Sequence, residues 1–182
     1  MKYGELNLGQ IEALVNKLGG MDGVRRFLSG ETVAKVSEQI YKVPVDYSRR
    51  LDAMIKDGRY DYVNPDITEK HFPEKRRGME DIEIKLFHLN RVVNSDEATR
   101  EIEKDGIWRR ATLPELLALG ASRPELQREF SIVAPGSVWQ LEDVYRGVPY
   151  LWSGGLGRGL DLDWGIVDWG SSDRFAAVRK PA

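Results

Sequence analysis

Leu8, Ile11, Leu14, Val15 and Leu18 recur at helical spacing, Gly19 and Gly20 interrupt them, and Val24, Phe27 and Leu28 resume the pattern behind Asp22, a residue suited to an N-cap. This predicts a helical hairpin over residues 1–30. The chain then becomes polar before turning extended through Val43, Pro44 and Val45, which places a boundary between Gly30 and Lys42. A helix is expected from Arg49 to Lys56. Between Gly58 and Gly78, the pairs Asn64-Pro65 and Phe72-Pro73 mark turns, and the run Lys75, Arg76, Arg77 reads as a solvated loop tip. From Ile82 to Leu89 the alternation is clean: Ile82, Ile84, Leu86 and His88 share one face, and Glu83, Lys85 and Phe87 share the other. That is a strand. Three helix starts follow at capping-box spacing, Asn94 with Glu97, Thr112 with Glu115 and Ser122 with Glu125, with Pro114 and Pro124 in first-turn positions. They predict helices to about Lys104 (ended by Gly106), over Leu113 to Leu119 and over Arg123 to Glu129. Phe130, Ile132 and Val133 turn extended again. The segment from Trp139 to Lys180 alternates in short pieces separated by glycines, as brief strands joined by tight turns do.

The pattern defines an α+β protein with a hairpin at 1–30, an irregular linking segment with a short helix at 31–80 and a main domain at 81–182. At 182 residues and 41% hydrophobic content the chain is long enough for one sizeable core. Its formal charge is -2, with Lys and Arg interleaved among Asp and Glu, so no basic stripe exists to track phosphates and nucleic acid is not the expected partner. With no cysteine there are no disulfides, thiolate nucleophiles or sulfur-based zinc sites, as suits a reducing compartment. The first residues lack the apolar run of a secretory leader, and no stretch approaches the ~20 apolar residues that span a bilayer. A cytoplasmic protein that does not enter a membrane is expected.

No catalytic constellation is legible. His71 sits in a loop beside Phe72-Pro73, and His88 continues an apolar strand face, where a hydrogen-bonded role is more common than general base catalysis with an acidic partner. Ser137 and Ser153 lack the flanking glycines of a nucleophile elbow. Gly154, Gly155, Gly157 and Gly159 resemble a phosphate loop, but the LDLDW that follows alternates as a strand, so a hairpin turn is expected there. Asp161, Asp163, Asp168 and Asp173 have no calcium-loop spacing. Neither a metal nor a cofactor is expected, and the chain reads as a binding protein rather than an enzyme. The aromatic residues offer large rigid contact area. Flanking polar and turn residues mark Tyr145, Trp152 and Trp169 as exposed, whereas Trp164, in line with Leu160 and Leu162, is expected in the core. With Arg146, Ser153, Arg158, Asp168 and Asp173, the three exposed aromatics form the expected ligand-binding set, facing a protein or glycan. The alternative is a regulatory DNA-associated or partner-docking role for the N-terminal hairpin, with Arg25 and Arg26 on its second helix.

The order ATLPELLALG, GSVW, VPYLW, LDLDW and RFAAVRK, together with NLGQIEALVNKLGGMDGVRRFL and VDYSRRLDAMIKDGRYDYVNPDITEKHFP, resembles a family of uncharacterised bacterial proteins over most of the chain. More loosely, two helices, a loop-rich region and a last strand ending Phe-x-x-Val-Arg are similar to the C-type lectin-like fold of formylglycine-generating-enzyme relatives and of variable proteins from diversity-generating retroelements. The likeness implies that Trp139, Trp164, Phe175, Val178 and Arg179 are scaffold. Glu142, Asp143, Tyr145, Arg146, Ser153, Arg158, Ile166, Asp168, Ser171 and Asp173 would then lie in the presenting loops. The chain lacks the catalytic cysteines of the former group and the Trp-Asn-Asp and Glu-Pro-Asn calcium signatures of sugar-binding lectins.

Overall fold

A computed structural model of the chain describes residues 9, 11, 12, 15, 20–29, 39–141, 145–155, 157–163 and 168–181. The chain divides into two units, Met1–Glu38 and Gln39–Ala182. In the first, Gly9, Ile11, Glu12 and Val15 have helical backbone and helix α1 spans Met21–Leu28. Gly20 lies between them with φ of 83° and donates its N–H to Val15 O at 2.9 Å, a left-handed helix exit that glycine adopts without a Cβ clash. Helix α1 therefore starts one residue ahead of the cap expected at Asp22. Leu8, Leu14 and Leu18 of the expected first helix lie outside the described residues.

Among the described residues the second unit is a nine-stranded mixed sheet with helices. Its strands are β1 (Ile40–Asp46), β2 (Tyr62–Val63), β3 (Met79–His88), β4 (Trp108–Arg110), β5 (Ile132–Val133), β6 (Trp139–Leu141), β7 (Tyr145–Gly154), β8 (Gly157–Asp163) and β9 (Arg174–Arg179). They run in the order β1-β3-β9-β5-β7-β8-β2, with β4 pairing on β9 and β6 on β7. Helices α2 (Leu51–Gly58), α3 (Ser95–Glu103), α4 (Leu113–Ser122) and α5 (Leu126–Glu129) complete it.

Strand β9 organises the sheet. One edge pairs antiparallel with β3, from Ile84↔Val178 to His88↔Arg174. The other edge is shared, its first residues with β5 in parallel and its last three with β4 antiparallel. Successive side chains of a strand point to opposite faces, and here both faces are covered. Ala176 and Val178 enter one core with Tyr47, Leu51, Met54 and the leucines of α4, while Phe175 and Ala177 enter another with Ala98 and Ile102 of α3, Trp108 and Trp169. This explains why RFAAV carries no polar alternation. Residues Ile40–Asp46 pair with Met79–Lys85, so the expected break at 80/81 falls inside β3, and the expected linking segment contributes a strand to the same sheet.

Two of the three capping boxes form. Asn94 Oδ1 accepts from Glu97 N at 2.9 Å while Glu97 Oε2 accepts from Asn94 N, and Thr112 N donates to Glu115 Oε2 at 2.7 Å. The third does not. Ser122 is the last residue of α4, its hydroxyl donating to Ala118 O at 2.8 Å, and α5 begins only at Leu126. The glycine-rich C-terminal stretch forms the expected hairpin, with β7 and β8 antiparallel from Val148↔Asp163 to Gly154↔Gly157.

Candidate functional site

Helix α4 is apolar on nearly all sides, and its one carboxylate, Glu115, has no exposed surface. An unpaired charge there would be prohibitive. Glu115 Oε1 accepts from Tyr47 Oη at 2.6 Å, Arg76 Nη1 at 2.8 Å and Arg109 Nη2 at 2.6 Å; Oε2 accepts from Arg109 Nη1 at 3.0 Å and Thr112 N at 2.7 Å. Burial alone pushes the carboxyl pKa up, but Arg109, through a fork of hydrogen bonds and its charge, Tyr47 and the Thr112 N–H outweigh it and bring the group down to about 2. Burial raises the Tyr47 hydroxyl, and the bond to Glu115 raises it further. Arg76 also holds Glu74 with Nε and Nη2 at 3.1 and 2.8 Å, donates to Thr112 Oγ1 at 2.7 Å and lies over the Tyr47 ring at 4.0 Å. The expected solvated tip is thus corrected at its centre, because Arg76 turns inward to this carboxylate.

Arg76 and Arg109 also form part of the wall of an open cavity of about 570 Å³, together with His71, Lys75, Arg110, Thr112 and Ser137. A guanidinium has five N–H donors. The hydrogen bonds of Arg109 to Glu115 and to Arg110 O use three, leaving Nε–H and one Nη2–H uncommitted among the described residues. Arg110 gives its Nε–H to Glu103 at 3.0 Å, and its Nη hydrogens have no partner among the described residues. Lys75 has no carboxylate within ion-pair distance among the described residues. Against the cations Lys75, Arg76, Arg109 and Arg110 stand three carboxylates, Glu74, Glu103 and Glu115, so the site carries one surplus positive charge. His71 stacks on Trp139 with centroids 3.8 Å apart and 7° between planes. Its Nδ1 is 2.7 Å from Asp66 O, which can only accept, so Nδ1–H is the donor there. His71 is half-buried, and no local pattern in the sequence marks Tyr47, Arg76, Arg109 or Glu115 as a site.

The expected C-terminal set does not gather in one place. Tyr145 and the exposed Arg146 open β7, whereas Trp152 and the exposed Ser153 close it, seven residues or roughly 20 Å further along. The exposed Asp168 belongs with Arg146, since both line a separate cavity of about 160 Å³. Asp173 is committed to its own turn, accepting from Gly170 N at 2.8 Å. Trp169 is corrected from exposed to core: only 4% accessible, it packs edge-on to Tyr150 and Phe175 and donates Nε1–H to Ser95 Oγ at 3.0 Å. Its polar neighbours in sequence belong to a turn above a long-range bridge to Val93. Glu142, Asp143, Trp164 and Ile166 lie outside the described residues. His88 is exposed at the end of β3, with Nε2 2.9 Å from Ser171 O.

Arg158 is corrected as well. It is 7% accessible and donates to Gly58 O, Gly120 O and Gln127 Oε1, each at 2.8 Å. Gly58 ends α2 and Gly120 lies in the last turn of α4, so this buried cation is held by the negative ends of two helices. Burial still lowers its pKa. It is a structural clamp. Among the described residues no group of three His, Asp or Glu side chains is placed to hold a metal ion, and no helix is long and apolar enough to cross a membrane. Comparison of the chain with known protein families, curated proteins and solved structures finds no match.

Proposed function

We propose that this is a non-catalytic ligand-binding protein whose recognition site is the cleft beside Glu115, and that it takes an anionic group of a small molecule. The observation that carries this reading is Arg109, whose guanidinium is pinned from behind by a buried carboxylate while two of its N–H donors are uncommitted among the described residues, in a side chain that lines the cavity. Donors fixed in advance lose little entropy on binding. Lys75 supplies the surplus charge, and a volume of about 570 Å³ is within the usual range for small-molecule sites. The separation of Arg146 and Asp168 from Trp152 and Ser153, with Trp169 and Arg158 buried, argues against a single protein- or glycan-binding face at the C-terminal loops. In this reading the C-type lectin-like resemblance concerns scaffold, and the burial of Phe175 and Val178 supports that role for them.

Calorimetric titration with inorganic phosphate and with succinate tests the proposal, using Lys75→Gln and Arg110→Gln because neither change touches Glu115. Saturable binding of at least one anion is expected, weakened roughly tenfold by Lys75→Gln through loss of one charge-assisted contact. No saturable heat with either anion up to about 10 mM, or equal affinity in both variants, would refute it.

A further inference from the structure

On the other side of the Phe72-Pro73-Glu74 segment lies a second cavity, of about 320 Å³, which shares that wall and Pro114 with the anion cleft. Its character differs. Leu51, Met54 and Phe72, all buried, give it an apolar floor, and Tyr47 and Pro114 continue that surface. Charges stand only around it. Glu69 accepts from Leu51 N at 3.1 Å and faces Arg50; Glu74 is committed to Arg76; Arg49 is paired with Asp57.

Arg77 is the exception. Among the described residues it has no carboxylate partner; instead both Nη1 hydrogens go to backbone carbonyls, Glu74 O at 3.0 Å and Arg76 O at 2.8 Å. The next residue is anchored too, since Gly78 N donates to Ser48 Oγ at 2.8 Å and Gly78 O accepts from Tyr47 N at 2.9 Å. The guanidinium is therefore held by one nitrogen, and the donors left over are Nε–H and the Nη2 pair. Nε–H and one Nη2–H lie on the same edge and form the fork that matches the two oxygens of a carboxylate.

We propose that this cavity is a second site, for a small organic acid with an apolar body: an aryl or alkyl carboxylate whose acid group is forked by Arg77 and whose body rests on Leu51, Met54 and Phe72. The volume limits the ligand to the small end of the range for such sites. Both halves of the ligand are required, because the floor offers no polar partner and the exposed arginine alone holds an anion weakly in water.

The test is a methyl and amide NMR titration of the whole chain with phenylacetate and hexanoate, set against acetate, inorganic phosphate and the neutral phenylacetamide. One of the first two acids is expected to shift the Met54 methyl and the Leu51 and Phe72 signals saturably. Acetate, phosphate and phenylacetamide are expected to leave the Met54 and Leu51 signals in place; Phe72 also lines the anion cleft, so its signal does not separate the two sites. Arg77→Gln, an exposed change, should weaken binding at least fivefold while preserving the spectrum of the free protein. Equal binding of phenylacetamide would remove the carboxylate fork, equal binding of acetate or phosphate would remove the apolar floor, and an unchanged affinity in Arg77→Gln would overturn the assignment. So would the absence of shifts at Met54 with either acid. Shifts at Arg109, Arg110 and Ser137 alone would place the acid in the other cleft and also overturn it, so this proposal can fail while the first stands.

Discussion

Glu115→Gln keeps the shape of the side chain and one good acceptor but removes the charge that Arg76 and Arg109 share. The size of the effect follows from the depression of the carboxyl from 4.5 to about 2, which corresponds to about 3 kcal/mol of stabilisation of the ionised form in the folded state. The cost typical of breaking a buried pair by removing one partner, about 3 to 5 kcal/mol, agrees. A carboxyl whose folded pKa is depressed contributes fully above its unfolded value, here 4.5, and loses that contribution as pH falls through the folded value near 2. The wild-type advantage over Glu115→Gln should be about 3 kcal/mol at pH 7 and less than half of that near pH 3. Urea denaturation at the two pH values measures it, and at neutral pH the melting temperature should fall by about 10 °C. A loss below about 1 kcal/mol at pH 7, or one of the same size at pH 3, would show that the buried carboxylate is not the charged hub of the site.

Other predictions concern the corrected residues and their neighbours. Trp169→Ala should cost about 3 to 5 kcal/mol of unfolding free energy, as for a large core side chain; a nearly unchanged melting temperature would return Trp169 to the surface. Arg158→Lys keeps the charge but cannot span the three acceptors from one nitrogen, so a loss of about 2 kcal/mol is expected on denaturation, and retention of full stability would contradict the clamp. The Tyr60 hydroxyl is buried with no hydrogen-bond partner among the described residues, in the space that the missing side chains of Gly58 and Gly120 leave open, so Tyr60→Phe should stabilise by about 1 kcal/mol. Destabilisation instead would show that the hydroxyl is bonded.

Elements whose signals are local were legible in the sequence. Asn94 with Glu97, the alternation from Ile82 and the glycines between β7 and β8 each specify a few neighbouring residues, and each forms as expected. The site was not legible, because it depends on distance along the chain: Tyr47 reaches Glu115 across 68 residues and Arg76 across 39. One clue was present. Glu115 stands alone in LPELLAL, and a single carboxylate on a helix too apolar to face water needs a buried cation from elsewhere. Its capping-box spacing identified the residue and accounted for only one of its oxygens. The opposite error occurred at Trp169 and Arg158, where polar and glycine neighbours suggested exposure. Turns place such residues beside a side chain that still points into the core.

An anion bound against the wall built on Glu115 would sit beside Lys75, Arg109 and Arg110. Backbone amide chemical shifts of the wild-type protein, followed as inorganic phosphate is added at constant ionic strength, test for that binding most directly. Saturable shifts centred on Lys75, Arg109, Arg110 and Ser137 are expected. Shifts that fail to saturate, or that spread over exposed lysines and arginines elsewhere and spare these four, would contradict it.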